Sequence, residues 1–391
     1  MYQKNNLPPD YHDVLAFADR LHQAGCAPRN VASYTKSYAQ NRDIDVSIDV
    51  TPTKMISVFD GETQRVVLQD KKPPSVNLRN LVATLKAMPS GKSYLGAGHY
   101  SNTTLCLANI LLPPCYLMLV GTTYVAVFIA MFLGLVAWLA QMLLTGERAI
   151  LVEFFVALVA SITVGLLASF IPDLPILALC IASIVLFIPG LTVTNALASL
   201  ALNDFRSGIE LLAQSGLIII KIFIGVVLGL SLSGLVAEHT AAISFVNEIP
   251  LWLHILGLIG ISFAIGLIFN ASLTDILIGL PAAAIGMWGP HLFTTDWVVG
   301  TWISTMIITL YGLLAGRIRN VPALVYIVQG IIILVPGSRI IVGASESFFS
   351  TVILQIPNIG LSAILMFCAI VAGQIMIYSI FSERFFSSIQ H

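Results

Sequence analysis

The sequence predicts a polytopic α-helical membrane protein: about ten transmembrane helices as two inverted five-helix repeats, behind a small N-terminal α+β cytoplasmic domain. Three observations carry this expectation. Of 391 residues, 57% are hydrophobic and only 10% charged, with mean hydropathy +0.90, outside the range of soluble globular domains. Ten apolar runs follow one another from residue 102 onward. Finally, an apolar run broken by Pro-Gly occurs twice, in "LFIPGLTVTNAL" and in "IILVPGSRIIVG".

The head comes first. Its opening, "MYQKNNLPPDYHD", has no short apolar core before a small-residue cleavage site, so it does not read as a signal peptide and the segment is expected to stay cytoplasmic. Residues 1–92 hold 12 Lys+Arg and 9 Asp+Glu, against 7 and 11 in the remainder. Leu15, Ala18 and Leu21 recur at helical spacing, and Gly25 and Pro28 divide that region into two helices. "IDVSIDV", "KMISVFD" and "RVVLQD" then alternate as half-buried strands do, and "NLRNLVATLKAM" returns to helix. Residues 1–100 are therefore read as one α+β domain, residues 101–236 as the first five-helix unit and residues 237–391 as the second.

The apolar runs cover 102–119, 122–143, 149–170, 174–194, 209–236, 251–270, 274–289, 297–316, 321–344 and 355–381. Most approach the ~20 residues that cross ~30 Å of hydrocarbon. Pro113-Pro114 and Pro281 interrupt the first and seventh runs, which are each either full spans or re-entrant. Charge supplies an independent test, because Lys and Arg gather in cytoplasmic loops. With ten spans and both termini inside, Arg148, Arg206, Arg317, Arg319 and Arg384 all fall on the inner side, and no Lys or Arg falls in an outer loop. Only Lys221 and Arg339 stay within spans.

Laying residues 175–201 over 322–348 without a gap aligns Pro175 with Pro322, Leu177 with Leu324, Pro189 with Pro336 and Gly190 with Gly337. These are the fourth and ninth runs. Units of five spans must cross the membrane in opposite senses, which is the inverted-repeat plan of many secondary transporters. Proline removes a backbone donor and glycine tolerates a bend, so each pair breaks or kinks its span. Broken backbone survives at membrane depth only where protein or a wet cavity satisfies it, hence the link with substrate sites; a pair of packing kinks is the alternative.

These residues resemble the threonine/serine exporter family. The likeness rests on "QAGCAPRNVASY" and "DVTPTKMISV" in the head, on "IPGLTVTNALASLALNDFRSGIELL", and on "VPALVYIVQGIIILVPGSRIIVGA". It implies a fused form with a cytoplasmic head and ten spans in the inner membrane. It also implies efflux of small amino acids such as threonine and serine, coupled to the proton gradient as antiport. Similar proteins with the halves on separate chains imply the alternative of succinate-type dicarboxylate export. A membrane-anchored sensor acting through its head is the reading from another class.

Substrate-binding candidates follow from the breaks: Pro189, Gly190, Pro336 and Gly337 with their neighbours. Thr192, Thr194 and Asn195 offer hydroxyl and amide groups suited to a zwitterion, although intramembrane hydroxyls commonly satisfy their own backbone. Ser338 and Arg339 follow the second break, and a guanidinium there could hold a carboxylate in a fork or snorkel to the surface. Lys221 lies about 12 residues into the fifth run, roughly 18 Å deep. It is either a counter-ion or proton carrier, or a structural lysine paired with Glu153 or Asp204. Glu153, Asp204 and Arg206 are candidates for proton coupling or gating, with an interfacial anchor and a helix cap as alternatives for the two acids. Asn270 and Asp275 are read as caps, and Gly225, Gly229, Gly312 and Gly316 as packing positions.

No cofactor, metal or catalytic residue is expected. Cys26, Cys106, Cys115, Cys180 and Cys368 show no paired or metal-type spacing. "SGKS" lacks the first glycine of a P-loop, the position being Lys86. No hydrolase motif occurs, and the head has no basic run for nucleic acid. The expected partners are a small-molecule substrate, protons and the lipid bilayer, with homo-oligomerisation left open.

Overall fold

The computed structural model describes residues 7–60, 64–72, 75–87, 98–120, 123–171, 174–236, 250–335 and 359–385. The head opens with α1 (Pro9–Gln23) and α2 (Pro28–Gln40), each with proline in its first turn, where the missing N–H costs nothing. Gly25, at φ +79, makes the left-handed turn between them and lets the Cys26 N–H reach the Leu21 carbonyl at 3.1 Å. Strands β1 (Asp45–Val50), β2 (Lys54–Asp60) and β3 (Arg65–Asp70) form an antiparallel sheet in that order. Its register pairs Val50 with Met55 and Ile56 with Leu68. Val46, Val50, Met55 and Phe59 all point to one face, buried against Phe17, Leu21 and Val31 of the two helices. The helix α3 (Leu78–Ala87) leads toward the membrane part.

A helix stands at each of the ten apolar runs. The first five runs hold α4 (Asn102–Val120), α5 (Tyr124–Leu143), α6 (Val152–Ala168) with a 3-10 turn at its start, the pair α7 (Ile176–Ile184) and α8 (Gly190–Ala201), and α9 (Phe205–Gly234). The last five hold α10 (Leu251–Ile268), α11 (Leu273–Phe293), α12 (Trp297–Arg319), α13 (Leu324–Leu334) and α14 (Ile359–Phe385). Eight of the described helices are long and apolar enough to cross a bilayer, and the bent α7–α8 pair makes nine; α13, with 11 residues, is shorter. Their outward faces carry large apolar side chains, such as Phe128, Leu217, Ile220 and Ile364, all more than half exposed. Only lipid makes such a surface favourable.

The first and seventh runs are unbroken helices despite their prolines. Neighbouring helices cover the backbone those prolines disturb. Asn109, whose carbonyl loses its helical partner at Pro113, is met by Gly134 of α5, where any Cβ would collide with that oxygen. In α11, Pro281 removes the donor to the Leu277 carbonyl, and beside it the Ile278 carbonyl accepts the Tyr311 hydroxyl of α12 at 2.6 Å.

Helix pairings recur between the halves. α4 packs on α5 as α10 does on α11, α6 on α9 as α12 on α14, and α6 on α7 as α12 on α13. Between the halves, α4 lies along α10, and α8 touches α13.

The head is bonded to the helix ends on its side. Three turns there share one design, an asparagine in the left-handed region: Asn203 at φ 63, Asn270 at φ 53 and Asn320 at φ 51. In each, the next N–H reaches back to the last helical turn, as in Ala271 to Gly266 at 2.8 Å. The first amides of α3, which have no intrahelical acceptor, donate to carbonyls of the turn that follows α10: Leu78 to Phe269 at 2.9 Å and Arg79 to Asn270 at 3.1 Å. Asn270 donates to Asn77 at 3.0 Å, and Tyr100 donates to the Ala271 carbonyl at 2.8 Å. Arg206 pairs with Asp49 at 2.9 Å, so the α8–α9 turn is held as well.

Candidate substrate-binding site

The break at Pro189 sets the site. After α7 and a 3-10 turn, Ile188 is extended at ψ 118, Pro189 follows at ψ 45, and α8 departs at 58° to α7. Pro189 brings no amide hydrogen and no side-chain cap to the start of α8. The N-terminal, positive end of this 12-residue helix therefore has no side-chain cap toward whatever lies before it, and its Gly190 amide donates to the Ile188 carbonyl at 2.8 Å.

What lies there is a cavity of about 270 Å³. Tyr116 of α4, Ile188, Gly190 and Leu191 at the break, Ile265 and Phe269 of α10, and Ile332 and Val335 at the end of α13 are among its walls. Both halves of the chain thus contribute. The walls are mainly aliphatic, with Tyr116 the one lining residue that carries a side-chain hydroxyl. At its tightest point, a Cβ on Gly190 would lie 2.5 Å from Cγ1 of Val335. Only glycine allows that approach.

Of the sequence-derived candidates, Gly190 lines the cavity; Pro189, between the wall residues Ile188 and Gly190, is not itself in the wall. Thr194, buried, donates to the Gly190 carbonyl at 2.9 Å and so serves its own helix. Thr192 and Asn195 are half-buried on α8. Pro336, Gly337, Ser338 and Arg339 lie outside the described residues; Val335 immediately before them is in the cavity wall.

The charged candidates are elsewhere. Lys221 donates to Glu153 at 2.9 Å and to the Ile150 carbonyl at 2.9 Å, which ties α9 to the start of α6. Both side chains are half-buried, and neither is in the cavity wall. Asp204 caps α9 by accepting the Ser207 amide at 3.2 Å. Arg206 faces the head through Asp49. Gly225 and Gly229 face α6, where a Cβ would meet the Phe154 and Leu158 carbonyls at 2.7 Å. Among the described residues, no three His, Cys, Asp or Glu side chains are grouped to hold a metal ion.

One residue read from sequence only as a cap also bonds to another helix. Asp275 in the first turn of α11 accepts Ser272 Oγ at 2.6 Å and the Tyr326 hydroxyl of α13 at 2.9 Å. Gln329, one turn along α13, reaches the Asp275 carbonyl at 3.5 Å. Ser272 also caps α11 by accepting the Asp275 amide, so a capping role is present; it does not account for the bond to another helix. The available signal was the spacing of Tyr326 and Gln329, which puts two polar side chains on one face of an apolar run.

Residues 96–233 match the family model described as "Putative threonine/serine exporter". No curated protein and no solved structure matches the chain.

Proposed function

We propose, from the premise that residues 96–233 belong to the threonine/serine exporter family, that this membrane transporter exports small amino acids, threonine and serine, by proton-coupled antiport. The observation that carries the reading is the contact of Gly190 with Val335 across the cavity. It joins the broken fourth span to the residue just before the second Pro-Gly. In an inverted repeat the two copies of one element meet on the pseudo-twofold axis, and the α4–α10 and α8–α13 contacts fit that rule. A cavity of about 270 Å³ suits a small solute.

In this reading the substrate carboxylate lies at the uncapped end of α8, where backbone amides and the helix dipole favour an anion. The Tyr116 hydroxyl and the carbonyls of the unwound segment serve the ammonium group. The apolar walls take the short side chain and keep water out. Alternating access is rocking of one five-helix unit against the other around the two breaks, with protons moving inward, the head cytoplasmic and the protein in the inner membrane.

The test is flux in liposomes containing the purified full chain, with an imposed pH gradient and threonine, serine or succinate as solute. Threonine and serine movement that stops when the gradient is collapsed is the expected result. Succinate movement alone would replace the amino acid assignment by the dicarboxylate one.

A further inference from the structure

Among the described residues, Asp275 is the one Asp, Glu, Lys or Arg side chain that is buried, at 8% exposure. Its carboxyl is held by hydroxyls: Ser272 on its own helix at 2.6 Å and Tyr326 on α13 at 2.9 Å. The charged and titratable groups around it come from four elements. Arg319 at the end of α12 faces the Tyr326 hydroxyl. Tyr311 of α12 is engaged with the Ile278 carbonyl. Arg79 of α3 and Tyr100, just before α4, both donate to the Ala271 carbonyl. None of the ion pairs between described residues includes Asp275.

We propose that Asp275 binds and releases the coupling proton, and that its bond to Tyr326 passes the protonation state to the helix that walls the cavity. The proposal rests on the exporter reading for the word coupling alone; the proton site stands on the geometry. Of the other acids on the described membrane helices, Glu210 of α9 is only half-buried, and Glu153 is held by Lys221 at 2.9 Å, so that neutralising it would strand a half-buried ammonium. Asp275 can become neutral without stranding a cation, because its partners are hydroxyls. The surroundings also hold an acceptor waiting for a donor. Gln329 Oε1, in a side chain 1% exposed, has no hydrogen-bond partner, and a carboxylate has no hydrogen to give. Uptake of one proton converts Asp275 from acceptor only to a group with an O–H.

The same change weakens its hold on Tyr326, since a hydrogen bond to an ionised acceptor is about twice as strong as a neutral one. Tyr326 stands in the first turn of α13 and Gln329 at its middle, and Ile332, Ile333 and Val335 stand in the cavity wall at the far end. Phe269 and Leu191, also in that wall, pack against the cluster that contains Tyr326 and Ile276. One rigid half-helix therefore connects the carboxyl to the Gly190 contact. The proton is taken up on the carboxylate oxygen and returned to water on the head side, and no other group changes charge.

Two readouts test this on the full chain. The infrared carbonyl band of a protonated carboxyl should rise and fall with pH in the wild type and be missing in Asp275→Asn. In liposomes, the ratio of threonine flux with and without a pH gradient should fall to about one in Asp275→Asn. In Tyr326→Phe, which keeps the carboxyl, the pH profile of flux should be displaced by about half a unit or more. The proposal is overturned by a band unaltered in Asp275→Asn, by gradient stimulation undiminished in that variant, or by an undisplaced profile in Tyr326→Phe. A wild type with the Asp275-dependent band and no threonine flux would instead sink the exporter reading and leave the proton site standing.

Discussion

At Gly190 a single hydrogen in place of a side chain lets the two halves touch, and the consequence is measurable. Gly190→Ala places a methyl 2.5 Å from Val335 Cγ1, so one helix must retreat. Overpacking of this kind costs about 1–3 kcal/mol, enough to lower threonine flux roughly tenfold if the contact forms during each cycle. Val335→Ala in the same chain should recover most of that loss, and unrecovered flux would mean that the methyl acts elsewhere. Lys221 and Glu153 give a second prediction at this scale. Removing one partner strands a half-buried charge, so Lys221→Met should lower stability by about 1–2 kcal/mol, discounted for the partial exposure of both groups. Lys221→Met with Glu153→Gln should be more stable than Lys221→Met alone in a thermal melt. The pair also shows where residue-level reading ran out. That Lys221 lies inside an apolar run is plain from sequence; which acid it meets depends on how α9 and α6 align, and no spacing rule supplies that.

At the scale of elements, hydrophobic runs located all ten helical regions, because a bilayer demands long apolar stretches and ignores fine detail. The head strands were equally legible, since Val46, Val50, Met55 and Phe59 alternate with polar residues on a sheet buried on one face. Prolines were harder to read. Pro281 leaves a reader of sequence unable to tell a span from a re-entrant turn, because the outcome depends on how neighbouring helices pack around that turn. Tyr311→Phe tests one such contact. It should remove the bond to the Ile278 carbonyl and lower stability by about 0.5–1.5 kcal/mol in a thermal melt; an unchanged melt would show that the bond adds nothing there. Asp275 was hidden for a similar reason: Ser272 and Asp275 form a local cap that explains the backbone, while the bond to Tyr326 joins residues 51 positions apart.

At the scale of the whole molecule, the head and the bundle form one bonded structure through the asparagine turns. Asn270→Ala removes the side-chain bond to Asn77 and replaces a residue suited to φ 53. Faster hydrogen exchange at Leu78 and Arg79 should follow, whose amides donate to that turn; unchanged exchange there would show that the turn alone does not hold the head. The expectation that the head faces water comes from the charge gathered before residue 92, but its docking could not be read, since backbone bonds to Phe269 and Asn270 leave no trace in residue type. That docking has a consequence for how the protein is made. Asn77 and its partner Asn270 are 193 residues apart, so at ~5–20 residues per second the ribosome finishes the head some 10–40 s before its seat exists. During that interval the first amides of α3 are left to water and Leu78 is uncovered, an apolar surface of the kind that chaperones bind. Biogenesis must therefore hold a completed first module in waiting until the sixth membrane segment is inserted.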